Sequence, residues 1–369
     1  MQKTRETVLE IDLGALAHNY RYLRSKLPEN VQMMGVVKAF AYGSEAGEVA
    51  HKLSDLGMDY FAVAYTSEGI TLREAGIKDP ILVLHPQSVN FDSIIEHCLE
   101  PSIYSEFVLK EFIKSAEKLG VKEYPVHIKL NTGLNRLGFI ENELEMIFDV
   151  LSKTDAIKIK GVFSHLAASE DWREREFTLS QIGKFSRMAR LFIDALKNKP
   201  ILHLCNTSGI INYPEATFDM VRSGIGLYGF TNDPELDKHL KPVGTLKTII
   251  SQIHSIEKGE TIGYNRTYKA TGPMKTATLP IGHADGINRQ FGNERAGVFV
   301  NGHFAPIIGN ICMDMLMIDI TEVPCEEGDE VIIFGEVQPA TKFAEKGNTI
   351  SYELITGISQ RVKRIIKPE

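Results

Sequence analysis

Between residue 11 and about residue 235 the chain alternates short β-branched runs with amphipathic stretches of helical length, at intervals of roughly 20–40 residues. The strand-like runs are Met34–Lys38, Tyr60–Ala64, Ile81–Leu84, Pro101–Tyr104, Val126–Leu130, Ile159–Ser164, Leu202–Leu204 and Phe218–Val221. Helical patterns such as Glu45–Leu56, Ser67–Ala75, Ser105–Leu119, Glu141–Ser152 and Phe177–Lys197 follow most of them. This alternation builds parallel sheet, and eight repeats in about 225 residues fit a closed (β/α)8 TIM barrel better than an open doubly wound sheet. The α/β barrel is expected over residues 11–238. After about residue 240 the texture turns to strand-like runs with turn signals, Thr248–Ile256, Thr276–Pro280, Gly297–Val300, Leu316–Ile320 and Val331–Phe334. Residues 239–369 are therefore expected to form a C-terminal β-rich domain. Within it Asn301-Gly302 supplies the positive φ values of a type I′ hairpin turn. Thr4–Ile11 alternates like a strand, so residues 1–10 can pair with either domain.

Composition narrows the function. At 369 residues the chain exceeds a small binding module. Its 41 Lys+Arg against 48 Asp+Glu give a net charge of −7 without long single-sign runs, which argues against nucleic acid or anionic lipid as the main partner. No apolar run approaches the roughly 18 residues of a membrane span, and the charged start lacks the apolar stretch of a secretory signal, so a cytoplasmic location away from membranes is expected. Cys98, Cys205, Cys312 and Cys325 form no C-x-x-C pair and the histidines no H-E-x-x-H, so no metal site is expected. Gly224-Ile225-Gly226-Leu227-Tyr228-Gly229 matches G-x-G-x-x-G, but Thr231-Asn232-Asp233-Pro234 follows where a dinucleotide-binding helix should run. A glycine-rich loop after the eighth strand is the better reading.

In a barrel of this type function gathers at the C-terminal ends of the strands. Reactive side chains fall there: Lys38 at the end of the first strand, Arg136 past the fifth, His165 at the end of the sixth, Asn206-Thr207-Ser208 after the seventh and Arg222 at the end of the eighth. Behind the apolar run 33–37 the Lys38 amine would be partly desolvated, which favours its neutral, nucleophilic form and suits Schiff-base chemistry. Taken alone, Lys38 reads more readily as a lysine reaching from a strand end into water, and Arg222 equally well as an ordinary ion-paired arginine.

Several ordered motifs together are more specific. Val37-Lys38-Ala39-Phe40-Ala41-Tyr42-Gly43 resembles the pyridoxal-phosphate (PLP) lysine signature of the bacterial alanine racemases, V-K-A-N-A-Y-G-H. The similarity continues through residues 129–138, His165, residues 221–225, Gly263-Tyr264, Ala284-Asp285-Gly286, Cys312-Met313-Asp314 and Tyr352-Glu353, nearly the whole chain. The resemblance implies a PLP-binding barrel of fold type III followed by a β domain, a homodimer with shared active sites, and interconversion of L- and D-alanine to supply D-alanine for peptidoglycan. It makes Lys38 the cofactor lysine and one of two proton-transfer bases. The other is Tyr264 of the second subunit, since racemisation needs groups on both faces of a planar carbanion. Arg222 would meet the pyridine nitrogen, where a guanidinium that keeps its proton leaves the ring nitrogen unprotonated and the electron sink weak. Reprotonation at Cα is then favoured over transamination. His165 would hold a hydrogen-bond chain beside Arg222, while Tyr42, Asn206, Thr207, Gly224, Ile225 and Tyr352 would bind the cofactor. Arg136 would take the substrate carboxylate and Met313 would line the alanine methyl pocket, with Lys129, Cys312, Asp314 and His283 in support. Lys129 matches a position that is carbamylated in many relatives.

Phe40, Ser44, Asn131, Thr207 and Ser223 depart from the family's Asn, His, Asp, Ser and Pro without removing a catalytic group. His283 stands where relatives commonly have a tyrosine at the mouth of the site, which leaves the strictness for alanine open. A broader racemase acting on serine and a non-catalytic PLP carrier are the alternatives. The long C-terminal part with Tyr264 and Tyr352 disfavours the carrier, and Arg222 in place of an acidic pyridine partner disfavours a decarboxylase.

Overall fold

The computed structural model describes residues 4–231 and 233–367. A first strand, β1 (Val8–Asp12), precedes eight parallel strands that close into a barrel: β2 (Gln32–Val36), β3 (Tyr60–Val63), β4 (Ile81–Val83), β5 (Glu100–Ile103), β6 (Tyr124–Lys129), β7 (Ile157–Phe163), β8 (Ile201–His203) and β9 (Met220–Ser223). β2 and β9 close it, with Met33, Met34 and Gly35 opposite Val221, Arg222 and Ser223. The helices between the strands turn apolar stripes inward. In Glu106–Lys118 the buried residues are Val108, Leu109, Phe112, Ile113 and Ala116, at helical spacing, and the Ser105 side chain caps the helix by accepting from the Val108 N–H at 3.3 Å.

The C-terminal region forms a nine-stranded sheet that β1 joins, antiparallel to Gly244–Ile249 and parallel to Lys363–Lys367. The sheet order is Gln252–Ile256, Met274–Leu279, Leu316–Asp319, His303–Ile308, Gly297–Val300, Glu330–Phe334, Gly244–Ile249, β1, Lys363–Lys367. The Asn301-Gly302 hairpin forms, with φ of 49° and 81° and Val300 opposite His303. Among the described residues no helix is long and apolar enough to cross a membrane.

Two expectations change. The run Thr248–Ile256, read as one strand, is two: Gly244–Ile249 and Gln252–Ile256 stand in different parts of the sheet. Between them the Ile250 N–H donates to the Asp329 carbonyl (3.0 Å) and the Ser251 N–H to that of Thr278 (2.8 Å), so tertiary partners turn the chain where no glycine or proline marks the break. The first barrel strand ends at Val36, and Lys38 opens a short helical segment, Lys38–Gly43. In it Ala39, Phe40, Ala41 and Tyr42 take φ of 53°, 55°, 53° and 54°, four left-handed residues that are not glycine, before Gly43 at 82°. Such a conformation costs roughly 1–2 kcal/mol per residue. It is held from outside. The Glu68 carboxylate accepts from the Ala39 N–H at 2.6 Å and the Ala64 N–H at 2.7 Å, and the Tyr42 ring stacks on Tyr228 with centroids 4.6 Å apart. The G-x-G-x-x-G stretch forms a short 3-10 turn, Ile225–Tyr228, directly after β9.

Candidate active site

The ends of the barrel strands surround a cavity of 490 Å³. Lys38, Tyr42, Lys129, Arg136, His165, Asn206, Thr207, Arg222, Gly224, Ile225 and Tyr352 line it together. Tyr264, His283, Cys312, Met313 and Asp314 do not. They form a separate patch on the C-terminal sheet domain, in which the His283 and Ala284 N–H groups donate to the Cys312 and Met313 carbonyls, both at 3.0 Å. Asn310 Nδ2 donates to the Tyr264 carbonyl at 3.1 Å, and Arg361 pairs with Asp285 and Asp314. Tyr264 is 70% exposed and Met313 60%.

The cavity is strongly cationic. Burial, reinforced by Arg136, lowers the pKa of the Lys38 amine, with Glu68 opposing. Lys129 is enclosed, its Nζ 4.6 Å from the centre of the Phe163 ring. Burial and then the charges of Arg222 and Arg136 push its pKa well below the usual lysine range. Arg222 is a buried residue of the cavity lining, and its two terminal nitrogens meet five acceptors. Nη1 meets His203 Nδ1 at 2.9 Å and the His203 carbonyl at 3.1 Å. Nη2 meets the carbonyls of Ser164 (2.7 Å) and Leu204 (3.0 Å) and His165 Nδ1 (3.2 Å). Burial lowers its pKa to about 10, so it remains a cation at neutral pH. A guanidinium only donates, so His165 Nδ1 accepts. Burial and Arg222 hold that imidazole neutral, which leaves its proton on Nε2.

Beside the Lys38 turn the cavity offers hydroxyls and first-turn N–H groups. Thr207 and Ser208 open the helical segment Thr207–Asn212, and Gly224 and Ile225 lead into the 3-10 turn. The first N–H groups of such turns have no partner within them and suit an anion. Gly224 is required for this shape, because a Cβ there would lie 2.3 Å from Tyr42 Oη. The Asn206 side chain is already engaged as helix cap, accepting from the Gly209 N–H (2.9 Å) and Ser169 Oγ (2.7 Å). The sequence reading missed Glu68, which fixes the Lys38 turn, and the histidine His203 beneath Arg222. Among the described residues no three His, Cys, Asp or Glu side chains cluster to hold a metal ion.

Comparison with known proteins supplies the context. The family model described as "Alanine racemase, N-terminal domain" matches residues 11–232, and "Alanine racemase, C-terminal domain" matches residues 243–366. The chain is 37% identical to alanine racemase 2 of Caldanaerobacter subterraneus over 98% of its length and 95% of the relative's. It is 39% identical to the alanine racemase of Clostridium novyi, covering 96% of this chain and 94% of that one. Among solved structures it is similar to alanine racemase of Clostridium difficile 630 (TM-score 0.93, 35% identity, 99% of this chain and 97% of that one). It is also similar to that of Bacillus anthracis with bound L-Ala-P (TM-score 0.91, 31% identity, 100% and 96%).

Proposed function

The chain belongs to the alanine racemase family, and from that premise we propose that it uses PLP to interconvert L- and D-alanine through two bases, Lys38 and Tyr264 of a second copy. The D-alanine would serve cell-wall peptidoglycan from the cytoplasm. One observation carries the reading. The cavity holds an amine for one side of a substrate, while the phenol and the methyl-pocket methionine sit exposed on a separate patch of the same chain. A dimer that presents this patch to a neighbour's cavity completes two sites at once.

The residues present fit the cofactor: the amine of Lys38, the anion cup at Thr207 and Gly224, and the buried cation of Arg222 line one cavity. Bound there, PLP would supply an aldehyde that condenses with amines and a ring that draws negative charge from Cα. Lys38, its neutral form favoured, takes or returns the Cα proton on its face. Arg222, its two terminal nitrogens held by five surrounding acceptors, transfers no proton to a pyridine nitrogen and so limits charge withdrawal. The His165 Nε2–H is available to stabilise the phenolate of a Tyr264 brought by the second copy, which lets a phenol act as base. Arg136 binds the carboxylate with its fork of donors.

Lys129, whose neutral form is favoured by burial and by the flanking Arg222 and Arg136, is suited to add its amine to CO₂ with loss of one proton, giving a carbamate that compensates both arginines. Labelling with ¹³C-bicarbonate should give one carbamate carbon signal that Lys129→Ala removes; its absence in the wild type would dismiss the modification.

The test of function is L-alanine in deuterated buffer. D-alanine carrying solvent deuterium at Cα is expected, and L-serine run in parallel reads the strictness for alanine. A protein that holds PLP and yields neither D-alanine nor label is a carrier. Growth of a D-alanine-requiring bacterium on this gene alone tests the cell-wall role.

A further inference from the structure

TIM-barrel cores are normally filled by layers of branched apolar side chains. Here a line of polar groups crosses the core. Arg222 Nη1 donates to His203 Nδ1, His203 Nε2 lies 3.1 Å from His127 Nδ1, and His127 Nε2 lies 2.9 Å from Glu100 Oε2. Lys160 Nζ donates to Glu100 Oε1 at 2.7 Å, and Tyr60 Oη donates to the same carboxylate. All are buried except Lys160, at the far end. Donor and acceptor chemistry assigns each proton. Arg222 cannot accept, so His203 Nδ1 must. Burial and the Arg222 charge keep His203 neutral, so its proton is on Nε2 and points at His127 Nδ1. The His127 proton is then on Nε2 and points at Glu100. Burial works against the Glu100 anion, but hydrogen bonds from His127, Lys160 and Tyr60 hold its pKa below the usual carboxylate range. The chain runs one way, from a cation in the cavity lining to an anion in the core. The backbone is shaped around it: a bulge at Val126/His127 sets Gly161 opposite His127, and a Cβ on Gly161 would lie 2.2 Å from His127 Nδ1.

We propose that Glu100 is a positioning residue for the reaction, acting through His127 and His203 to fix the Arg222 guanidinium in the cavity lining. This rests on the role of Arg222 proposed above. A carboxylate accepts only, and that one-sidedness is what orients both rings. A glutamine at 100 can turn an N–H toward His127, letting both histidines reverse, so that His203 would face Arg222 donor to donor.

Nitrogen-15 NMR of labelled histidines in the purified wild-type protein should show both rings with unprotonated Nδ1 and protonated Nε2 at neutral pH. A protonated Nδ1 on either ring overturns the proposal. In the holoenzyme, Glu100→Gln should lower kcat by about tenfold or more, as expected for losing a hydrogen bond to a charged group, leave KM within about twofold, and mix the His203 tautomers. Glu100→Gln combined with Lys160→Met should stay impaired. If that double variant regains wild-type kcat and a single His203 tautomer, Glu100 merely neutralises Lys160 and the proposal fails. The wild-type spectrum decides even if the variants do not fold, and a wild-type enzyme with the expected tautomers but no racemisation overturns the functional reading, not the proton assignment.

Discussion

Lys38→Ala should abolish racemisation, by on the order of 10⁴-fold or more, and with it the visible absorbance that PLP gains on joining a lysine. Two contributions vanish together: a general base, worth about 10²–10⁴-fold, and the covalent anchor that orients the reacting centre. No neighbour replaces it. Lys129 also lines the cavity, but its Nζ lies over the Phe163 ring, and Arg136 keeps its proton. The fold should survive, because Lys38 is only half-buried and the turn it opens is held by Glu68 and by the stack of Tyr42 on Tyr228. Retained absorbance with an unchanged circular dichroism spectrum would mean that another lysine carries the cofactor.

Tyr264→Phe should cost about 10³-fold in racemisation, within the range of one lost general acid or base, and the loss should be one-sided. The face served by Lys38 remains intact. One enantiomer of alanine should therefore go on exchanging its Cα proton with deuterated solvent without inverting, while the other exchanges only slowly. Equal loss of exchange from both enantiomers would argue for a single base. Tyr264 is 70% exposed in one chain, so its substitution should leave the stability of the fold nearly unchanged. That separates a chemical effect from a structural one.

The barrel was legible because its strands are buried on both faces and read as apolar β-branched runs separated by helical stripes. Where turns lack their usual residues, legibility ends. Nothing in Ala39-Phe40-Ala41-Tyr42 announces a left-handed turn, since the partners that impose it, Glu68 and Tyr228, come from distant sequence. The same holds at Ile250-Ser251, where Asp329 and Thr278 divide an otherwise continuous strand pattern. At the site, residues that close strand patterns could be picked out singly, and their convergence on one cavity followed from the barrel. The polar line in the core could not be seen. His127 lies 76 positions from His203 and 27 from Glu100, and each alone looks like a polar interruption of an apolar strand. The Tyr264 and Met313 patch carries no local signal of chemistry and entered only through the family resemblance.

Mixing Lys38→Ala and Tyr264→Phe protein, each inactive alone, and letting subunits exchange tests the shared site most directly. With equal amounts, about half the dimers are mixed, and in each mixed dimer one site carries both lesions and the other neither. Activity should return to about a quarter of the wild-type value. If the mixture stays as inactive as its parents while exchange of subunits is demonstrated, the amine and the phenol act within one chain and the two-subunit site is wrong.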